Sequence, residues 1–283
     1  MTTVLITGAG SGLNNGAALA LAERGYDVIA GVENYPQLRA LEIQAKARGV
    51  ALRIEKIDVT REGDRRRATS WDVDVLVNGA GIIEGGAIVD IPAENMRRQF
   101  EVNVIGPVLL TQGIAKKMIA RRRGRIVFFS SVVGILSGPF VGMYGASKHA
   151  IEGIAETMSM ELQEFGVEIA VINPGPYLTG FNDAGFLAPK NWNDDPSKRV
   201  FDYDKLAFPF EQFEPSVAFD SIVDVITGKS ALFRNVVAPE LAAAVREQSL
   251  LAWTRKTTDG LGTRSPLVQR SYDLKPETLV GST

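Results

Sequence analysis

Short apolar runs alternate with longer helical patterns through most of the chain. Residues 4–6 read as a buried strand, and a glycine-rich turn follows them. Residues 17–24 repeat Ala and Leu at helical spacing until Gly25 stops the pattern. Residues 26–32 form the next strand, and Pro36 opens a helix that runs to Arg48 and ends at Gly49. Residues 50–57 and 73–77 are further strands. Between them, residues 60–71 are charged and leave room for two or three turns of a solvated helix. A long helix spans about 92–123, with Gly106-Pro107 as an internal kink. Residues 125–130 are a strand, 143–165 a helix and 167–172 a strand. Strands that are apolar throughout and alternate with helices predict a parallel sheet covered on both faces.

The regularity breaks after Ile172. Residues 174–215 hold Pro174, Pro176, Pro189, Pro196, Pro209 and Pro215. A segment this long and irregular in a compact domain reads as a lid or binding loop. A helix resumes near Ser216, and a last strand lies near 233–238. From Arg255 the chain is polar, with Gly260, Gly262, Pro266 and Pro276, and reads as a tail draped over the surface or disordered. The predicted organisation is one domain over 1–254, with a lid at about 180–215, and a tail over 255–283.

Composition narrows the chemistry. The 31 basic and 33 acidic side chains leave a net charge of −2, which gives no footprint for nucleic acid. The absence of cysteine removes disulfides, thiolate zinc sites and cysteine nucleophiles. With His149 as the one histidine, a metal cluster or a Ser-His-Asp triad is not expected. No run reaches the ~18 apolar residues of a spanning helix, and no basic, apolar leader precedes Gly8, so a soluble cytoplasmic protein is expected. The 28 glycines exceed the usual ~7% share, which points to backbone held close to something.

One such place is 7–16, Thr-Gly-Ala-Gly-Ser-Gly-Leu-Asn-Asn-Gly, between the first strand and the first helix. Glycines there let the backbone approach a pyrophosphate, and the helix N-terminus offers free N–H groups and a positive dipole end. A second constellation is Ser131 with Tyr144 and Lys148. Tyr144 and Lys148 are four apart on a predicted helix and share a face. An ammonium near a phenol favours the phenolate and should lower its pKa from ~10, which suits proton exchange with a carbonyl or alcohol. His149 lies about 100° around the helix and reads as a packed or exposed helix residue.

In order along the chain, these features resemble the short-chain dehydrogenase/reductase family from residue 1 to about 240. Thr7-Gly8-x-x-x-Gly12 resembles its cofactor turn, with Ser11 and Leu13 inside the cradle. Asp58-Val59 resembles its adenine contact, and Asn78-Gly79-Ala80-Gly81 its Asn-Asn-Ala-Gly motif. Asn103 falls at its helical asparagine. Ser131 stands thirteen residues before Tyr144, and Tyr144-Gly-Ala-Ser-Lys148 resembles its catalytic pair. Residues 173–179 resemble its Pro-Gly motif through Pro174, Gly175 and Thr179. Two positions depart: Asn14 stands where the family usually has a third glycine, and Gly79 replaces its second asparagine. Asn tolerates positive φ and caps helices, so a reshaped but working turn is expected.

The resemblance implies a single Rossmann-type doubly wound sheet and an NAD(P)-dependent oxidoreductase. The reaction would interconvert a secondary alcohol and a ketone, or a primary alcohol and an aldehyde. Tyr144 would be acid and base, Ser131 would hold the substrate oxygen, Lys148 the ribose hydroxyls, and Asn103 a proton-relaying water. Glu33, at the end of the second strand, can accept from a ribose 2′-OH and repels a 2′-phosphate, so NAD is expected over NADP. Residues 181–213 hold eight of the 22 aromatics, which favours a bulky apolar or aromatic substrate. Ile135, Phe140, Tyr177, Phe181 and Phe186 are the expected pocket wall. The resemblance also implies a homodimer or homotetramer paired through the helices near 92–123 and 143–165. A non-catalytic nucleotide-binding sensor on the same fold is the alternative. No metal, nucleic-acid or membrane partner is expected.

Overall fold

The computed structural model describes residues 2–274. The first half of the chain alternates strand and helix: β1 (Thr3–Thr7), α1 (Gly12–Glu23), β2 (Asp27–Val32), α2 (Tyr35–Ala47), β3 (Arg53–Lys56), α3 (Glu62–Thr69) and β4 (Val75–Asn78). Then follow α4 (Ala93–Phe100), a π-turn (Glu101–Ile105), α5 (Gly106–Ala120), β5 (Gly124–Phe129), α6 (Gly142–Leu162) and β6 (Val167–Pro174). The remainder holds α7 (Phe181–Leu187), α8 (Phe219–Ile226), β7 (Arg234–Val237), α9 (Ala242–Leu251) and α10 (Pro266–Asp273), with several short 3-10 turns.

Among the described residues, seven strands pair in parallel, in the order β3-β2-β1-β4-β5-β6-β7. This is the doubly wound Rossmann-type sheet that the apolar pattern and the resemblance predict. Side chains alternate across it with period two. Val4, Ile6, Val75, Val77, Val127 and Ile172 face a core closed by α1, α2 and α8. Leu5, Leu76, Ile126, Phe128 and Val171 face a second core, closed by α3, α5 and α6. The order reverses between β1 and β4, where the connections leave in opposite directions and open a crevice beyond the carboxyl ends of the strands.

The predicted kink is a π-turn placed just before Gly106-Pro107. Pro107 has no N–H for the carbonyl four residues earlier, which is that of Asn103, and the helix widens there. A Cβ on Gly106 would stand 2.6 Å from the Val59 carbonyl, so the helix crosses the loop after β3 at a position that only glycine fills.

The segment expected to be a lid has a core of its own. Phe140, Phe186, Trp192, Tyr203 and Leu206 are buried together, with Phe201 and Phe208 packed against them. The segment after Arg255 carries the helix α10. Val268 and Tyr272 of α10 pack on the lid core, and Ala207 N–H donates to the Ser271 carbonyl at 3.0 Å. The rest of the predicted tail, 275–283, lies outside the described residues.

Candidate active site

The crevice is a cleft of about 720 Å³ that runs from Glu33 at one end to Tyr144 and Phe181 at the other. Its floor is the turn after β1. Gly8 (φ +72°) and Gly12 (φ +61°) take the left-handed conformation that side chains resist. A Cβ on Gly8 would meet Ala80 and the Gly79 carbonyl within 2.8 Å, so the turn and the loop after β4 touch through backbone. Thr7 Oγ1 accepts from Gly79 N–H at 3.1 Å and Ala80 N–H at 3.2 Å, which fixes that contact. The Ser11 N-cap gives no side-chain bond to the N–H groups of α1, so those donors stay free toward the cleft.

The two departures from the family pattern are one feature in space. Asn14 is nearly buried in the first turn of α1, and its Nδ2 donates to the Gly79 carbonyl at 2.8 Å. A Cβ on Gly79 would lie 2.6 Å from the Asn14 amide atoms. The Asn14 side chain therefore fills the volume that any side chain at 79 would need. Sequence reading treated the positions separately, because 65 residues divide them.

Cofactor-side residues divide into two groups. Gly8, Ser11, Gly12, Leu13, Glu33, Asp58, Val59, Ala80, Gly81, Pro174, Gly175 and Thr179 line the cleft. Asn78 does not. It is buried at the end of β4, where its Nδ2 donates to Thr111 Oγ1 at 2.8 Å and ties the strand to α5. Asp58 accepts from Thr60 N–H at 3.0 Å and Thr60 Oγ1 at 2.6 Å. Partial burial acts to raise its pKa, but these bonds and Arg61 hold it below the usual carboxylate value. Glu33 is exposed at the rim, and its backbone N–H donates to Gln37 Oε1 at 2.9 Å. Gln37, Arg98 and Glu101 also line the cleft, and no local motif announced them.

At the other end, β5, the turn after it and α6 bring Ser131, Tyr144 and Lys148 together. All three are buried. Ser131 caps the 3-10 turn Val132–Gly134, accepting from Val133 N–H at 3.3 Å, and its hydroxyl donates a long 3.5 Å bond to the Pro174 carbonyl. Lys148 Nζ donates to the Phe129 carbonyl at 2.7 Å and lies 5.6 Å from the Tyr144 ring centre. Sequence reasoning expected the ammonium to lower the Tyr144 pKa, but the free protein shows the reverse. Burial pushes Tyr144 up to about 12, with Ser131 opposing. Burial also pulls Lys148 down to about 8, against the charge of Glu152. Desolvation penalises the charged form of each group.

Asn103 sits in the π-turn, 2% exposed. Its Oδ1 accepts from Ile82 N–H at 2.8 Å, and its Nδ2 donates to the Ile82 carbonyl at 3.0 Å and to Ser147 Oγ at 3.1 Å. The amide is thus engaged in holding the loop after β4 against α6. His149 is exposed and lies outside the cleft lining, with its Nδ1 against the Gly145 carbonyl of its own helix at 2.9 Å.

The pocket wall is smaller than expected. Tyr177 and Phe181 line the cleft, and the Phe181 ring centre is 5.6 Å from that of Tyr144. Ile135, Phe140 and Phe186 lie outside the lining. Phe140 and Phe186 instead pack edge-on against each other within the lid core, where other aromatic rings bury them. Among the described residues there is no cluster of metal-ligating side chains, and no helix is long and apolar enough to cross a membrane.

The sequence pattern of the short chain dehydrogenase family matches residues 2–187. The chain is 36% identical over 182 residues to the uncharacterized oxidoreductase YusZ of Bacillus subtilis, covering 62% of this chain and 65% of that protein. It is 34% identical over 186 residues to human retinol dehydrogenase 8, covering 63% of this chain and 60% of that protein. The chain thus spans less than two thirds of the length of these curated relatives. A solved short-chain dehydrogenase from Sphingobium yanoikuyae, in complex with NADPH, superposes with a TM-score of 0.70 at 24% identity. That match covers 94% of this chain and 97% of the other, and it shows the fold.

Proposed function

Because the chain belongs to the short-chain dehydrogenase family, we propose that it is a nicotinamide-dependent oxidoreductase that interconverts an alcohol and its carbonyl compound, with Tyr144 as acid and base. The observation that carries this reading is the meeting of buried Ser131, Tyr144 and Lys148 at the end of a cleft whose other end is a glycine cradle.

A nicotinamide dinucleotide fits the cleft. Gly12 takes a left-handed φ of +61° at the turn, the N–H groups of α1 can receive a pyrophosphate, and the volume suits a ligand of this size. When bound, the nicotinamide supplies hydride to the carbonyl carbon or accepts it from the carbinol carbon. The protein's own groups handle the oxygen and its proton. The Ser131 hydroxyl, weakly engaged in the free protein, donates to the substrate oxygen and stabilises charge there. Tyr144 is protonated at neutral pH and so is ready to give its proton to that oxygen. In the opposite direction it takes the proton back, helped by the Lys148 ammonium. Lys148 would also hold the ribose hydroxyls of the bound cofactor, and Asn103 keeps the loop and α6 in register for the proton relay.

The reading includes NAD as the preferred cofactor, supported by Glu33 at the rim. It also includes a bulky apolar or aromatic substrate. Tyr177 and Phe181 in the lining support this, as does a relative named for retinol. Homo-oligomers paired through α5 and α6 are part of the same reading, supported by exposed Leu109 and Met160 on these helices.

Tyr144→Phe should reduce turnover of an aryl secondary alcohol by about 10³-fold while NADH binding, followed by fluorescence, stays within twofold. An active Phe variant would end the assignment of Tyr144. In the same titration NADH should bind more tightly than NADPH, and the opposite order would remove Glu33 as the reader.

A further inference from the structure

Glu152 is a buried carboxylate that the proposed chemistry does not use. It stands one turn beyond Lys148 on α6 and is 6% exposed. Its Oε1 accepts from Asn173 Nδ2 at 2.5 Å. Its Oε2 accepts from Arg234 Nε at 3.0 Å and Nη2 at 2.9 Å. Asn173, fully buried on β6, donates from the same Nδ2 to the Ser131 backbone carbonyl at 3.1 Å. A line of hydrogen bonds therefore runs from β7 through α6 and β6 to the backbone of Ser131.

Stability alone is a poor reason for this arrangement. Burying a carboxylate costs several kcal/mol before pairing, and an apolar pair of equal size often serves as well. What the carboxylate does that an apolar residue cannot is orient an amide. Asn173 has one NH2 group and two acceptors to serve, Glu152 and the Ser131 carbonyl, while its Oδ1 is buried without a partner. The amide faces this way because the donors are needed there. Without Glu152 it would gain by turning its orphaned oxygen toward any donor, and Ser131 would lose its tie.

We propose that Glu152 is a positioning residue that orients the Asn173 amide and thereby holds the Ser131 backbone in place, with Arg234 as its outer anchor. This rests on the assignment of Ser131 to the substrate oxygen.

Glu152→Gln separates positioning from mere stability. The Gln oxygen will go to the Arg234 guanidinium, since the charge-assisted bond is the stronger. Its NH2 then opposes the NH2 of Asn173. The variant should lose about tenfold in kcat, with KM for the cofactor within twofold. Hydrogen exchange of the backbone at 131–136 should accelerate. In Glu152→Gln/Arg234→Met the Gln oxygen is free to face Asn173, so kcat and exchange protection should return to within threefold of the parent. A structural role alone predicts the reverse, with the double variant worse than the single. Unchanged kcat and exchange in Glu152→Gln, or no recovery in the double, overturns the proposal. Should Glu152→Gln fail to fold, Asn173→Ser removes the tie and leaves the Glu152–Arg234 pair intact. The same losses are then expected, and their absence is equally fatal. If the parent protein turns over no alcohol, the proposed function fails, while the exchange comparison still decides the role of Glu152.

Discussion

The sheet and its helices bury their apolar side chains by period, and the cluster around Phe140 and residues 186–206 buries its own by individual partnership. In the sheet, neighbours such as Leu5 and Ile6 go to opposite faces because the strand repeats every two residues. In the lid, each ring has its own reason for its place. Trp192 packs where Gly86 leaves room, since a Cβ there would stand 2.3 Å from the indole. Tyr203 donates to Asp90 Oδ2 at 2.8 Å, and the same carboxylate receives Val200 N–H at 2.9 Å and Phe201 N–H at 3.2 Å. Arg199 lies 5.0 Å from the Trp192 ring and is paired to Asp194. Phe140 holds φ at +63°, a conformation a bulky residue keeps only when its surroundings clasp it. A periodic code distributes burial over many interchangeable contacts. A partnered cluster concentrates it in a few, so the lid should open through single losses that leave the sheet intact.

Phe140→Ala is the largest test of this contrast. It removes the ring that meets Phe201 at 5.1 Å and Phe186 at 6.4 Å, and should destabilise the lid by about 3–4 kcal/mol. Hydrogen exchange should rise across 181–213 while amides of β1 and β4 keep their protection. Equal loss in both regions would make them one cooperative unit.

Within the sheet half, the buried Lys148 gives a pH test. Its folded pKa, about 8, is below the unfolded 10.5, so the cost of burying the ammonium is full below pH 8 and fades toward pH 10.5. Stability from this group therefore rises with pH across that window. Tyr144, raised to about 12, contributes in the other direction only above pH 10. Between pH 8 and 10 urea unfolding of the parent should gain about 2 kcal/mol relative to Lys148→Met. Parallel curves would show that the ammonium is not the source.

The smallest effect concerns the exchange between Asn14 and Gly79. Asn14→Gly opens a gap, and Gly79→Asn places a side chain 2.6 Å from an occupied volume. Asn14→Gly/Gly79→Asn moves the amide to the other loop. Unfolding and NADH titration of the four proteins should give a coupling of about 1 kcal/mol in favour of the double variant. Strict additivity would make the two positions independent.

Much of the site was legible because its spacing is local. Tyr144 and Lys148 are one helical turn apart, and Gly8 and Gly12 of the first turn take a left-handed conformation that favours glycine. The pocket wall was less legible. Aromatic content identified the lid, but Phe140 and Phe186 could not be told from Phe181 until the chain closed on itself. The direction of the Tyr144 shift depended on burial, which no spacing reveals.

The sequence by itself determined the strand–helix alternation, the two-faced parallel sheet, the cradle glycines and the Ser131, Tyr144 and Lys148 set. The alternation, the sheet and the glycines follow from periods of two or 3.6 residues and from steric rules that act within a few positions, and the Ser131, Tyr144 and Lys148 set from the resemblance. The tertiary structure alone decided that Asn78 turns away from the cleft and Asn14 toward Gly79. It alone placed the π-turn at Asn103, docked α10 on the lid and joined Glu152 to Ser131 through Asn173. Those outcomes rest on contacts between residues far apart in the chain, where volume, burial and the need of every buried donor for an acceptor choose among side chains that look alike in sequence.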